Sequence, residues 1–245
     1  MLRLGSPQVR HRCFVVMEFV SYPNLHLPQV SFMLMRFVAG CGKSVLTSSL
    51  IDRVLSAAGC SDYHNTSAFY YCDHADKRTL EAVNIFSGLA QQLLRSMADI
   101  PPVISSLIDN LYSNGSQTPG VESIIHLLLE MIKKNSQITT FFLDGLDEVL
   151  DKERNFIFLT LQKFLAMSEK LKIFVSSRED TTYLIGESSV PNFKVRLDVN
   201  CISGDIDNYA RHAIRDLIQR GELVLGNLEL EEEIFTALTI GAKGM

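Results

Sequence analysis

Several kinds of signal are absent from this sequence. No run approaches the ~18 apolar residues that suggest a membrane-spanning helix. Arg3, Arg10 and Arg12 precede a short apolar run, CFVVMEFV, but Glu18 interrupts it and no small-residue cleavage site follows, so it does not read as a signal peptide. No long basic run occurs. The 28 acidic against 23 basic residues leave a formal net charge of −5, which argues against a nucleic-acid-binding face. Five cysteines (Cys13, Cys41, Cys60, Cys72 and Cys201) are odd in number and form no C-x-x-C pair. That pattern indicates free thiols in a reducing compartment and argues against a zinc site or a disulfide frame. No repeat with a period of about 20–50 residues and no low-complexity tract is present, which disfavours a solenoid. These absences together predict a soluble, cytoplasmic protein with no membrane span and no nucleic-acid partner.

What is present is a chain of 245 residues, 47% hydrophobic and 21% charged, long enough for one sizeable core and too apolar to be disordered. Residues 1–29, with Pro7, Pro23 and Pro28, read as an irregular segment. Then VSFMLMRFV (30–38) is a short continuous apolar run of the kind found in buried parallel strands. KSVLTSSLIDRVLSAAG follows, with Leu46, Leu50 and Val54 on one helical face and Gly59 as a stop. SAFYYC (67–72), ITTFFLD (138–144), KIFVSS (172–177) and FKVRLDV (193–199) read as further strands. Between them lie helices over 80–97, from Pro101–Pro102 onward, after a Thr118–Pro119 cap, and through ERNFIFLTLQKFLAMSE. Two more helices, DIDNYARHAIRDLIQ and LELEEEIFTALTI, complete the chain. Strands that alternate with helices predict an α/β fold with a parallel five-stranded sheet and helices on both faces. The expected organisation is an irregular N-terminal segment (1–29), a core (30–200) and a helical extension (201–245).

Three motifs carry chemistry. The first is RFVAGCGKSVL, between a strand and a helix. A phosphate cradle needs small residues whose backbone approaches the anion and a helix N-terminus whose N–H groups face it. Ala39, Gly40, Cys41, Gly42 and Val45 would line that loop. Lys43 would reach the β- and γ-phosphates, and Ser44 would ligate Mg²⁺. The pattern G-x-x-x-x-G-K-[ST] is incomplete, because Phe37 stands where its first glycine belongs. The second motif, TTFFLDGLDE, ends an apolar strand in Asp144, where a carboxylate at the cleft of an open sheet can hold Mg²⁺. Asp147 and Glu148 follow, and either can orient or deprotonate an attacking water. The alternative reading of these two is a solvated helix start favoured by the dipole. The third motif, KIFVSSRED, places Arg178 at a strand end, where it can stabilise a γ-phosphate or pair with Glu179 or Asp180 on the surface. Cys72, Asp73 and His74 cluster after a strand, but their spacing does not make a metal site. His212 reads as a helix-surface residue.

In their order, AGCGKSVL, FYYCDH, TTFFLDGLDEV, KIFVSSRE and IGAKGM resemble the NACHT domain of STAND P-loop NTPases, nearest the fungal, nephrocystin-like branch. DGLDE is the most specific likeness, with a small residue, Gly145, directly after the Mg²⁺ aspartate. The resemblance covers roughly residues 38–245. It implies the additional-strand class of P-loop fold, with the arginine-terminated sensor strand between the lysine-serine and Asp144 strands. It also implies an ATP/ADP switch with Mg²⁺, slow or absent hydrolysis, and homotypic association or other signalling partners in non-self recognition or cell death. The absence of an N-K-x-D motif favours ATP over GTP. Phe37, and an N-terminal segment unlike the family's, imply weakened base binding rather than a lost phosphate cradle. By the same resemblance the chain is truncated at both ends. A nucleotide-free interaction module or decoy is the competing reading. A small-molecule kinase fits less well, since no arginine-rich lid segment is present.

Overall fold

The computed structural model describes residues 31–37, 42–58, 66–112, 119–178, 192–197, 199–227 and 229–242. Five strands are β1 (Phe32–Phe37), β2 (Thr66–Tyr71), β3 (Thr139–Asp144), β4 (Leu171–Arg178) and β5 (Asn192–Leu197). Seven α-helices are α1 (Lys43–Ala58), α2 (Ala82–Ser96), α3 (Pro102–Tyr112), α4 (Val121–Lys134), α5 (Asp151–Met167), α6 (Val199–Gln219) and α7 (Glu229–Ala242). The sheet order is β2-β3-β4-β1-β5. The β4 strand therefore lies between β1 and β3, although it follows both in sequence.

The registers of the parallel pairs position the site. Tyr71 lies opposite Asp144 across β2–β3, and Leu143 lies opposite Val175 across β3–β4. The carboxyl ends of β2, β3 and β4 thus lie level, and β4 runs three residues past Val175 to Arg178. Every residue of β3 is buried, as expected of a central parallel strand covered on both faces. Pleat alternation divides its side chains. Phe141 and Leu143 join the cluster formed with Ile85, Phe86 and Leu89 of α2, Leu128 and Met131 of α4, and Leu161 and Phe164 of α5. Phe142 points the other way and meets Phe174 of β4 with ring centroids 5.7 Å apart. Helix α1 packs against β2, β3 and β4, and its Leu50, Ile51 and Val54 are buried outside that cluster.

One expectation and one alternative reading need correction. The α4 helix does not use the Thr118–Pro119 cap. Gly120 is its N-cap, with no side-chain hydrogen bond, and Thr118 lies outside the described residues. Asp147 and Glu148 do not begin an α-helix either. They close a short 3-10 turn, Leu146–Glu148, and α5 starts only at Asp151.

The described residues divide into two compact units. One holds 31–36 and 42–195, and the other holds 37 and 196–242. In the second, α6 and α7 pack through Ala210, Ile214 and Phe235. There the Arg211 guanidinium lies 3.7 Å over the Phe235 ring and pairs with Glu232 at 2.9 Å. His212 is exposed on α6, as expected. No helix among the described residues is long and apolar enough to cross a membrane.

Candidate functional site

The site lies within the first unit, where the first turn of α1 meets the carboxyl ends of β3 and β4. Gly42 enters α1 with φ +80°, a left-handed conformation that glycine adopts without strain. Leu46 N–H then donates to the Gly42 carbonyl at 3.0 Å, closing the first helical turn. The N–H groups of that turn have no partner within the helix, so they are available to an anion. Val45 is exposed beside them. Ala39, Gly40 and Cys41 lie outside the described residues.

Asp144 is buried at 3% exposure, and a carboxylate there needs partners. It has three hydroxyl donors. Ser44 Oγ donates to Oδ2 at 2.6 Å, Thr47 Oγ1 donates to Oδ1 at 2.8 Å, and Ser176 Oγ also donates to Oδ1. Thr47 and Ser176 escaped the sequence reading as site residues. Thr47 was legible in principle, because it lies three residues after Ser44 on the same helical face. Ser176 was not, because only the β3–β4 register brings it level with Asp144.

Gly145 turns the chain out of β3 with φ +77°. A Cβ there would lie 2.7 Å from the Cys72 carbonyl oxygen, so glycine is required by space as well as by conformation. The close approach is tied by Cys72 N–H, which donates to the Asp144 carbonyl at 2.9 Å. Gly145 N–H in turn reaches Ser176 Oγ at 3.3 Å. The Cys72 thiol is pushed up from 9.0 to about 12, first by burial and then by the negative charge of Asp144.

The two acids after this turn part company. The Asp147 side chain is 6% exposed and takes Lys43 Nζ on Oδ1 at 2.9 Å and Arg178 Nε on Oδ2 at 3.0 Å. Glu148 accepts the His74 backbone N–H at 2.7 Å, and the His74 ring Nδ1 lies 3.2 Å from the same oxygen. Its other oxygen is 3.8 Å from Arg178. Both acids are thus held by partners, unlike the solvated helix start considered from the sequence. Behind them, Arg154 of α5 donates to the Asp147 carbonyl at 3.0 Å and to Asp151. Asp73, His74 and Glu148 bring one ligand atom each within 4.8 Å of one another, while Cys72 takes no part.

Lys43, Ser44, Asp144, Asp147, Glu148 and Arg178 therefore converge from three chain segments more than 25 residues apart. With the sheet order, this defines an α/β domain with a P-loop NTPase-like fold. A family model described as nephrocystin 3, N-terminal, matches residues 25–178, well over half of the 245-residue chain. The chain belongs to that family. Comparison with curated proteins gives no match. Solved structures share the fold. The Aeropyrum pernix ORC1 protein in complex with DNA superposes with a TM-score of 0.54 at 13% identity, over 90% of this chain and 51% of that one. Drosophila ORC bound to DNA gives 0.52 at 11% identity, over 83% of this chain and 45% of that one. The Aeropyrum pernix ORC2 protein (ADPNP-ADP complexes) gives 0.51 at 14%, over 84% and 52%. This chain spans about half the length of those solved chains.

Proposed function

We propose that the chain is an Mg-ATP/ADP-binding NACHT module of a STAND-type signalling switch, with slow hydrolysis at most. The observation that carries this reading is the meeting of Lys43 and Ser44, at the start of α1, with Asp144 at the end of β3. Family membership and the shared fold support a nucleotide site there. Signalling in non-self recognition or cell death, and homotypic association, rest on the NACHT resemblance of DGLDE and its neighbouring motifs.

The donor set suits Mg²⁺. Ser44 Oγ and Asp144 Oδ2 are hard oxygens 2.6 Å apart, and Ser44 is exposed. Mg²⁺ bound there would neutralise phosphate charge. Lys43 would bind the β- and γ-phosphates, with the N–H groups of the first α1 turn and the backbone of Ala39, Gly40, Cys41 and Gly42 as the cradle. Thr47 and Ser176 would keep the Asp144 carboxylate oriented by donating to it. Arg178 would stabilise the terminal phosphate. Of the two acids, Glu148 is the better placed to orient water, since the charge of Asp147 is already committed to two cations.

The test is a titration of the purified chain with a fluorescent ATP analogue, with and without Mg²⁺. Saturable binding that Mg²⁺ strengthens and Lys43→Ala abolishes is expected. Equal binding by Lys43→Ala, or none at high micromolar concentration, favours a nucleotide-free interaction module instead.

A further inference from the structure

We infer that Asp147 is a built-in stand-in for the terminal phosphate, and that a nucleotide binds by exchanging its phosphate for this carboxylate. The inference rests on the nucleotide-binding reading above and assigns Asp147 a role in affinity and selectivity in place of water activation.

The geometry is specific. Lys43 at the start of α1 and Arg178 at the end of β4 are separated by 135 residues, yet the two oxygens of one carboxylate bridge them, Oδ1 to Lys43 and Oδ2 to Arg178. Two oxygens of a phosphate would bridge the same cations in the same way. The side chain of Asp147 is 6% exposed and that of Lys43 14%, so their contact is poorly screened by water, while Arg178 is half exposed and its contact is screened more. A phosphate group carries up to about two negative charges and three acceptor oxygens against the single charge of a carboxylate, so it can win this competition. A neutral or singly charged ligand cannot. Once displaced, Asp147 stands beside the incoming anion as a like charge, which further reduces the affinity of the native chain.

The backbone allows the exchange without unfolding the turn. Arg154 holds the Asp147 carbonyl at 3.0 Å, and Glu148 N–H donates to the Gly145 carbonyl at 2.9 Å. The side chain of Asp147 can therefore turn away while the 3-10 turn stays in place. Glu148 differs, because His74 holds it from outside the two cations.

The experiment measures binding of Mg-ATP and of inorganic tripolyphosphate, which has no base, to the whole chain and to Asp147→Asn, Asp147→Ser, Glu148→Gln and Lys43→Ala. Circular dichroism checks that each variant is folded. Both Asp147 variants are expected to bind ATP and tripolyphosphate at least about tenfold more tightly than the native chain (about 1.4 kcal/mol). Glu148→Gln is expected to gain much less. Unchanged or weaker binding by both folded Asp147 variants overturns the inference, as does an equal gain in Glu148→Gln, which would make the effect one of overall charge. A gain for ATP without one for tripolyphosphate overturns it too, since the exchange is with phosphate. If native binding is real and depends on Lys43, those outcomes leave the nucleotide reading standing. If no variant binds either ligand, both fall.

Discussion

Replacing Gly145 by alanine tests the turn that separates Asp144 from the two acids. Two costs add. A non-glycine residue at φ +77° costs about 1–2 kcal/mol by the usual clash of Cβ with the backbone. The new Cβ also lies 2.7 Å from the Cys72 carbonyl, a backbone atom that cannot swing aside. Relieving such overpacking costs typically about 1–3 kcal/mol. The sum, about 2–5 kcal/mol, corresponds to a fall in Tm of roughly 4–20 °C at about 2–4 °C per kcal/mol for a chain of this size.

Gly42→Ala is the internal control. Its φ, +80°, is nearly the same, but among the described residues nothing lies within 4 Å of the position its Cβ would take. It should therefore show only the conformational cost of about 1–2 kcal/mol, or roughly 2–8 °C. Thermal unfolding followed by circular dichroism compares the two directly. Equal shifts for both variants would refute the argument that the Cys72 contact fixes glycine at 145. The functional consequence is expected to follow the same order. Gly145→Ala must part β2 from the Asp144 carbonyl to relieve the clash, so it should also weaken the Mg²⁺ dependence of nucleotide binding.

Other perturbations separate charge, burial and packing. Asp144→Asn keeps the shape but offers one acceptor oxygen and one NH₂ to three hydroxyl donors, so it should lose about 1–3 kcal/mol in a urea titration and make nucleotide binding insensitive to Mg²⁺. The Cys72 thiol stays protonated to about 12 in the folded chain but ionises near 9.0 when unfolded. Its contribution is therefore complete below pH 9 and is lost as pH rises toward 12, at up to about 1.4 kcal/mol per pH unit. Urea titrations from pH 8 to 11 should show a shallower alkaline decline for Cys72→Ala than for the native chain. Phe164 is 1% exposed and meets Phe86 edge-on with centroids 6.0 Å apart, so Phe164→Ala should cost about 3–5 kcal/mol with nucleotide affinity changed far less than stability.

The order of strands and helices was legible because each strand is a short apolar run bounded by a helix with a clear apolar stripe. ITTFFLD became β3 and KIFVSS became β4, each within a residue or two of the expected ends. The capping of α4 was not legible. Thr118 and Pro119 carry the usual signal for a helix start, yet the described helix begins after Gly120, whose backbone alone forms the cap. The partners of Asp144 were half legible. Ser44 belongs to a known motif, but Ser176 reaches the carboxylate only because β4 inserts between β1 and β3. A sequence does not state which strands are neighbours, so cross-strand donors stay hidden until the sheet order is known.

The acids of DGLDE show most clearly what the sequence could not resolve. Asp147 and Glu148 are adjacent and chemically alike, so either suited the same role. In a 3-10 turn, with about three residues per turn, adjacent side chains point about 120° apart. That angle sends Asp147 toward Lys43 and Arg178, and Glu148 toward His74. The turn takes its 3-10 form because Gly145 reverses the chain in a left-handed conformation before it. Cys72 approaches there too closely for any side chain, so only glycine fits that conformation and that space. The division of labour between two neighbouring carboxylates thus traces back to one glycine and the backbone packed against it. An Asp147–Glu148 exchange (Asp147→Glu with Glu148→Asp) should therefore fail to restore either set of contacts, although it preserves the composition and net charge of the motif.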